Sequence, residues 1–369
     1  MQTALLTLRR IRPVPWFGAF VDAEDVLVTG LGAQLHEVDL ADARWARRPL
    51  ASAHLHRLLA AARLARPHRI VRPPGRPDVM VVLANDLHDL AVLPGLPGWD
   101  AGADTVIVYA GDVNERDLRL HPDVVHHLRR HVDVLLTCVE STPLERLRSP
   151  RLRTIEVIGG LLDVLAFPSR PAAADRPIDV VNLGRRSPQQ HALLLRWADQ
   201  ADGFYLYDTG YLGSLHSLAE HRRLYTGVTS RSRVFITNYA AVGDPKRGFP
   251  SGEVGFRFYE AMAAGCVLAG DLPTASRTYR TFIAPADPIP FATGATALPG
   301  ELLAVLEDPA EQECRGRASR ALALRHLDIA HRWKDITAVA GLPPSPGIDA
   351  RVNELARLAS STHGHPHDR

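Results

Sequence analysis

Short apolar runs rich in β-branched residues alternate with helical patterns along almost the whole chain, and this alternation constrains the fold more than any other feature. Most runs are continuous rather than alternating in hydrophobicity, which is typical of strands in a parallel sheet that helices cover on both faces. The predicted strands are Leu35 to Leu40, Asp78 to Ala84, Thr105 to Tyr109, Asp133 to Val139, Thr154 to Ile158, Ile178 to Leu183, Phe204 to Tyr207, Val234 to Asn238 and Val267 to Ala269. The sequence therefore predicts an α/β fold in which this arrangement occurs twice.

A proline-punctuated segment without periodicity, Ala166 to Pro177, separates the two series of strands. A chain of 369 residues suggests two domains at roughly 150 residues each. We predict an N-terminal domain over 1–166, a linker over 167–177, a C-terminal domain over 178–342, and a terminal helix with a disordered tail over 343–369. Because ligands bind beyond the carboxyl ends of parallel strands, we expect a site in the cleft between the two domains.

Composition narrows the class of partner. Hydrophobic residues at 46% and charged residues at 23% exclude disordered and fibrous proteins. A net charge of +2 is too small for a field that attracts nucleic acid, so no nucleic acid partner is expected. The three cysteines lack metal-binding or disulfide spacing, and the sequence has no signal peptide or long apolar run. We predict a soluble, cytoplasmic protein without metal, cofactor or integral membrane contact.

The segment from Val234 to Pro273 is the most informative about chemistry. It predicts a buried strand, a loop that holds Lys246 and Arg247, a helix from about Glu253 to Ala264, and a second buried strand. A loop that leads into a helix N-terminus offers free backbone N–H groups to an anion, and the anion expected here is a diphosphate. Glu260, beside several small residues, is either an exposed helix carboxylate or a group that accepts hydrogen bonds from a ribose diol.

The run FRFYEAMAAGCVLA over 256–269 resembles the small-residue motif of the retaining GT-B glycosyltransferases known as group 1, and its Arg257 is similar to the spore-maturation-protein-like branch. The segments over 154–168 and 178–186 resemble the interdomain passage of that family and the first strand of its nucleotide-binding domain, which ends in Gly-Arg. The resemblance covers roughly residues 75 to 342. It implies the GT-B fold, with two Rossmann-like domains whose parallel sheets face each other across a cleft.

The resemblance also implies roles for individual residues. Glu260 would bind the ribose of the donor, and Arg185 or Arg186 would neutralise the diphosphate leaving group; the alternative for this pair is a solvated turn. Further diphosphate-binding candidates are Lys246, Arg247 and Arg257. The first two could instead lie in a surface loop, and Arg257 could simply pair with Glu260 three residues later on one helix face.

The sequence departs from the family pattern at two places. The family pattern has a first glutamate eight residues before the one that matches Glu260, and this first glutamate would contact the donor sugar. That position is Gly252 in this chain, and Glu253 lies one residue late. Glu253 either substitutes for that glutamate or the contact is absent. The lysine that often follows the Gly-Arg is also missing, because Gln189 and Gln190 occupy that stretch.

The N-terminal half has polar residues where its predicted strands end. A general base must lie within hydrogen-bond reach of the acceptor hydroxyl, and Asp86, His88, Asp112 and Glu115 are suitably placed along the chain. Caps and turns use the same residue types, which is the alternative for each. With the displaced Glu253, the candidates for the catalytic group are therefore Asp112, Glu115, His88 and Glu253.

Taken together, these residues favour a hexosyl-type glycosyltransferase that moves a sugar from a nucleoside diphosphate sugar to an acceptor hydroxyl with retention. The acceptor is not identified by the sequence. The displaced first glutamate favours an alternative, a non-catalytic nucleotide-sugar-binding protein of the same fold. A nucleotide-sugar epimerase of this fold is a third possibility.

Overall fold

The structure is a computed structural model that describes residues 1–10, 14–39, 69–71, 75–140, 144–152, 154–157, 159–168, 171–208, 217–240, 242 and 252–363. The described residues form two compact units. The first lies within Met1–Leu161, Leu212–Arg222 and Arg332–Arg351, and the second within Leu162–Tyr211, Arg223–His331 and Val352–Arg369.

The first unit contains a seven-stranded sheet with the order β3-β2-β1-β4-β5-β6-β7. The strands are β1 (Thr3–Thr7), β2 (Gln34–Asp39), β3 (Arg69–Val71), β4 (Val79–Asp86), β5 (Thr105–Asp112), β6 (Val134–Thr137) and β7 (Thr154–Val157). Neighbouring strands are parallel except β2 and β3, which are antiparallel. Every residue of β1 is buried, as expected for a strand with partners on both sides and helices over both faces.

The second unit contains a five-stranded parallel sheet with the order β12-β11-β10-β8-β9. Its strands are β8 (Ile178–Asn182), β9 (Tyr205–Tyr207), β10 (Ser232–Ile236), β11 (Val267–Gly270) and β12 (Ile289–Pro290). Alternate residues of these strands, such as Val180, Val234 and Ile236, join Leu194 and Leu302 in one apolar core. Residues on both faces of β10 and β11 are buried, which explains why the runs in these strands are continuously apolar.

The α-helices of the described residues are α1 (Gly18–Leu31), α2 (Glu115–Leu120), α3 (Pro122–His131), α4 (Pro188–Ala201), α5 (Leu218–Ser230), α6 (Phe256–Ala263), α7 (Gly300–Glu307), α8 (Pro309–His326), α9 (Ile329–Ala340) and α10 (Pro346–His363). Asp308 caps α8 by accepting hydrogen bonds from the N–H groups of Ala310 and Glu311. None of the described helices is both long enough and apolar enough to cross a bilayer.

The α/β class predicted from the sequence is confirmed, and all nine predicted strands are present with ends that shift by at most three residues. Three strands were not predicted: β1, β3 and β12. The predicted helix over Glu253 to Ala264 begins later, at Phe256. Two helices, α8 and α9, follow one another closely and are separated only at Leu327 and Asp328. The predicted tail after α10 lies outside the described residues.

Candidate functional site

In the sheet of the second unit, the order of the strands reverses at β8. The chain runs from β8 to β9 on one side and then to β10 on the other side. In open parallel sheets, the carboxyl edge at such a reversal is where the loops diverge and leave room for a ligand. The residues that follow β8, β10 and β11 are therefore the first place to look for a site.

The loop after β8 is held against the end of β9. Gly184 has a positive φ of 78°, and its N–H donates to both carboxylate oxygens of Asp208 at 2.9 Å. The Arg186 guanidinium bonds the same carboxylate at 2.8 Å and lies 5.3 Å from the centre of the Tyr207 ring. Arg185 is exposed between them. The loop is thus fixed in place, and one guanidinium group of the predicted pair is already matched by a carboxylate.

Arg257, on α6, reaches this loop. Its Nη1 donates to the carbonyl of Arg185 at 3.0 Å. A Cβ added to Gly184 would lie 2.0 Å from Nη2 of Arg257, so the guanidinium packs directly on the glycine backbone. The structure therefore brings Arg185, Arg186 and Arg257 together around one loop.

Glu260 lies one turn further along α6 and is only 7% exposed. Its Oε2 accepts a hydrogen bond of 2.7 Å from the hydroxyl of Tyr225 on α5. The alternative in which Glu260 is an exposed helix carboxylate is therefore wrong. Tyr225 had no signal in the sequence, because its partner is 35 residues away on another helix.

Glu253 differs most from the prediction. It lies before α6 rather than in its first turn, since Gly255 is the N-cap residue and the helix begins at Phe256. The glutamate is 2% exposed, and its backbone carbonyl accepts from the N–H of Ala240 at 2.7 Å. The helix N-terminus expected near Glu253 is thus three residues away. Lys246 and Arg247 lie outside the described residues.

A buried pair of amide side chains joins the loops at the carboxyl edge. Gln190 of α4 donates to Oδ1 of Asn238 at 3.1 Å and accepts from its Nδ2 at 2.9 Å. Gln190 also donates to the carbonyl of Phe291, and Asn238 accepts from the N–H of Asp271 at 2.8 Å. The only sequence signal was Gln190 in the stretch where the family often has a lysine.

The carboxylate of Asp271, immediately after β11, has a defined orientation. Its Oδ2 accepts from the backbone N–H of Thr293 at 2.9 Å and from the hydroxyl of Thr293 at 2.7 Å. Ser187, in turn, donates to the carbonyl of Thr293. Asp271 was not among the predicted site residues.

The candidates of the first unit lie at the ends of β4 and β5. Asp86 and Asp112 are register partners, but each is used locally: Asp86 accepts from the N–H of Asp89 at 3.0 Å and Asp112 from the Asn114 amide at 3.2 Å. The ring of His88 lies 5.4 Å from that of another histidine, His121. Asp86 and Asp112 thus accept hydrogen bonds within turns, the use that the sequence left open as an alternative.

Glu115 is the first residue of α2 and forms ion pairs at the surface. Its carboxylate contacts Arg146 and lies 3.6 Å from Arg119, and the side chain is 46% exposed. Within the described ranges, no group of three or more His, Cys, Asp or Glu side chains could hold a metal ion.

One buried carboxylate of the first unit was missed. Glu24 of α1 is fully buried, and its Oε2 accepts from the Thr7 hydroxyl at 2.7 Å and from Nη2 of Arg9 at 2.8 Å. Burial raises the pKa of Glu24 to about 7, against the lowering effect of Arg9. The available signal was its place with Phe20 and Leu27 in a stripe of helical period.

These sheets define an α/β protein with two Rossmann-like sheets, one in each unit, the first parallel except at β3 and the second fully parallel. No family model matches the sequence, and no curated protein matches it. Among solved structures, the chain is similar to AviGT4, a glycosyltransferase involved in avilamycin A biosynthesis, with 13% identity, 98% of both chains covered and a TM-score of 0.46. It is also similar to the GtfA/B complex (13% identity, 84% of this chain, TM-score 0.38) and to a UDP-N-acetylglucosamine 2-epimerase (10%, 94% of this chain and 99% of that chain, 0.43). The chain spans 61% of the matched GtfA/B chain.

Proposed function

We propose that this chain is a retaining glycosyltransferase of GT-B type that moves a hexosyl group from a nucleoside diphosphate sugar to an acceptor hydroxyl. The observation that carries the proposal is the contact of Arg257 with the loop after β8, with Glu260 one turn further on the same helix. The motif that resembles the group 1 family thus converges with the Gly-Arg segment at the reversal point of one sheet.

The chemistry of this arrangement suits a diphosphate leaving group. Departure of a nucleoside diphosphate concentrates negative charge at the oxygens that leave the sugar, and fixed guanidinium groups stabilise that charge. Arg257 gives one N–H to the carbonyl of Arg185 and keeps further N–H groups for a ligand. Arg185 is exposed at the same loop, and Arg186 is partly neutralised by Asp208.

Glu260 would accept hydrogen bonds from the ribose hydroxyls of the donor. The bond from Tyr225 occupies Oε2 and fixes the carboxylate on α6. A carboxylate accepts through two oxygens and about four lone-pair positions, so one carboxylate can hold a protein donor and a ligand diol together.

The remaining assignments belong to the proposal as well. The first unit would bind the acceptor, with Asp112, Glu115 or His88 near it, over the predicted domain 1–166; the donor domain would be 178–342, with Lys246 and Arg247 as further diphosphate contacts. The protein would act in the cytoplasm without a metal ion. The anomeric configuration of the product, read by NMR, tests retention.

The first experiment measures the stability of the full chain in the presence of each member of a panel of nucleoside diphosphates and their sugars, namely the UDP, GDP, dTDP and ADP series. A bound donor should raise the unfolding free energy by about 2.7 kcal/mol at a concentration of 100 Kd. Slow release of nucleoside diphosphate by the wild type would support a transferase. A chain that gains no stability with any member of the panel would contradict the proposal.

Glu260→Gln removes the charge and half of the acceptor capacity at the ribose position. We expect nucleoside diphosphate affinity to fall roughly 10-fold to 100-fold, because hydrogen bonds to a charged group contribute about 1.5–3 kcal/mol. Calorimetric titration measures the change, and Glu354→Gln on α10, an exposed carboxylate, is the matched control. Unchanged affinity in Glu260→Gln would remove Glu260 from the donor site.

A second candidate function is a non-catalytic nucleotide-sugar-binding protein of the same fold. The burial of Glu253 favours it, because the carboxylate that could replace the first family glutamate is only 2% exposed. Such a protein would gain stability with a donor but release no diphosphate. An epimerase would instead interconvert donor epimers without an acceptor, which NMR of the donor detects.

A further inference from the structure

We propose that Asp271 binds hydroxyl groups of the donor sugar and so determines which sugars the protein accepts. This inference rests on the proposed function, because it assigns a specificity residue to the same donor site. The resemblance places a carboxylate at position 252, where this chain has glycine. In our proposal a different segment, the end of β11, supplies that carboxylate.

The position of Asp271 in the sheet suits this role. It directly follows β11, which is two strands away from β8 in the order β11-β10-β8. Neighbouring strands are about 4.8 Å apart, so the end of β11 lies roughly 10 Å from the end of β8. A sugar attached to a diphosphate held at the loop after β8 extends over a comparable distance. Asp271 is thus placed along the carboxyl edge where the sugar would lie.

The backbone of Asp271 is held on both sides. Its N–H donates to Oδ1 of Asn238 at 2.8 Å, and its carbonyl accepts from the N–H of Tyr239 at 3.1 Å. The side chain is held as well, since both hydrogen bonds from Thr293 go to Oδ2. A carboxylate fixed in this way needs no reorganisation when a ligand binds, which favours its use in recognition.

The other oxygen of Asp271 is available. Oδ1 has no hydrogen-bond partner among the described residues, and the side chain is partly exposed. An ionised carboxylate only accepts hydrogen bonds, so its natural ligand partner is a donor group. Sugar hydroxyls supply such donors, and hydrogen bonds from them to a charged acceptor are strong enough to discriminate between sugars.

The neighbourhood of Gly252 connects Asp271 with the missing glutamate. A Cβ added to Gly252 would lie 3.5 Å from Cβ of Pro273 and 3.6 Å from Cβ of Tyr239. Tyr239 is hydrogen-bonded to Asp271, and Pro273 follows it by two residues. A side chain at position 252 would therefore start next to Tyr239, the hydrogen-bond partner of Asp271, and next to Pro273, two residues after it. The carboxylate at 271 can thus serve the region that a glutamate at 252 would serve.

The test uses Asp271→Asn. The Asn carbonyl oxygen can keep both hydrogen bonds from Thr293, so the side chain stays in place while the group that faces the ligand changes from an acceptor to a donor. Calorimetry with the full chain measures Kd for the tightest donor of the panel and for the matching nucleoside diphosphate. We expect Kd for the sugar donor to rise at least tenfold and Kd for the diphosphate to change less than twofold.

Two further variants sharpen the result. Thr293→Val removes one of the two bonds that hold Oδ2 and should weaken sugar-donor binding by an intermediate factor. Asp202→Asn, in the exposed left-handed C-cap of α4, is the matched control and should change neither Kd. Thermal unfolding of each variant confirms that it is folded.

The outcomes are separable. If Asp271→Asn changes both Kd values equally, or neither, Asp271 does not recognise the sugar and the inference is overturned while the proposed function stands. If the wild type binds no nucleoside diphosphate at all, the proposed function itself fails. A deoxy-sugar donor whose Kd is insensitive to Asp271→Asn would identify the hydroxyl that Asp271 binds.

Discussion

Gly184 is the residue at which one added carbon would disturb the candidate site most directly. Its φ of 78° lies in the left-handed region, and the position of a Cβ is already filled by Arg257. Gly270 is restricted in another way, because a Cβ there would lie 1.6 Å from the carbonyl oxygen of Thr237. The two glycines let the loops after β8 and β11 approach their neighbours closely.

Gly184→Ala should therefore displace the Arg257 guanidinium and lower nucleoside diphosphate affinity at least tenfold. It should also reduce the unfolding free energy by about 1–2 kcal/mol, the usual cost of the left-handed conformation for a residue with a side chain. Titration calorimetry and denaturant unfolding measure the two effects. Gly300→Ala, at the open start of α7, is the control and should alter neither. Wild-type affinity in Gly184→Ala would contradict the role given to this contact.

At the scale of elements, the pair of Gln190 and Asn238 ties α4 to the ends of three strands. Asn238 follows β10 and accepts from the residue after β11, while Gln190 donates to Phe291 after β12. Both side chains are almost completely buried. Each amide is satisfied by the other, so loss of one leaves polar groups of the other buried without a partner.

Asn238→Ala should lower the unfolding free energy by roughly 1–3 kcal/mol or more, since it leaves the Gln190 amide and the Asp271 N–H without their partner. The double variant with Gln190→Ala should cost clearly less than the sum of the two single changes, with a coupling of about 0.5–3 kcal/mol. Urea unfolding of the four proteins measures this. Strict additivity would show that the pair does not act as a unit.

Element type was largely predictable from the sequence, because continuous apolar runs report burial in a parallel sheet. β1 escaped prediction because the apolar residues of Thr3–Thr7 are alanine and leucine, which favour helices. The start of α6 was misplaced because Glu253 resembles a first-turn residue, whereas Gly255 is still extended and caps the helix. Glu260 and Arg257 were found from their motif. Tyr225, Asn238 and Asp271 were not, since contacts across the sheet edge depend on tertiary structure.

At the scale of the whole molecule, buried titratable groups make stability depend on pH. Trp99 donates to Nε2 of His127 at 2.7 Å, and the rings of His127 and His131 stack at 4.3 Å. Burial, reinforced by His131, lowers the pKa of His127 to about 4. The raised pKa of Glu24 acts in the opposite direction, because its contribution to stability is lost as pH rises from 4.5 to about 7.

His127→Gln isolates the histidine. In the wild type, the unfolded chain takes up a proton near pH 6.5 and the folded protein only near pH 4, so His127 reduces stability as pH falls through that window. Gln keeps an acceptor for Trp99 without titrating. The unfolding free energy of His127→Gln should therefore fall less than that of the wild type between pH 6.5 and 4. Exposed His126→Gln is the control. Parallel curves for wild type and His127→Gln would contradict the assignment.

The interior place of β1 in the seven-stranded sheet, between β2 and β4, has a consequence for synthesis. Thr3 of β1 pairs with Val79 of β4. One edge of β1 therefore has no partner until about 75 further residues have been synthesised. At about 5–20 residues per second, this delay is several seconds, during which β1, all of whose residues are buried in the folded protein, has been synthesised without this neighbour. We therefore expect the speed of translation between β1 and β4 to affect the yield of folded protein.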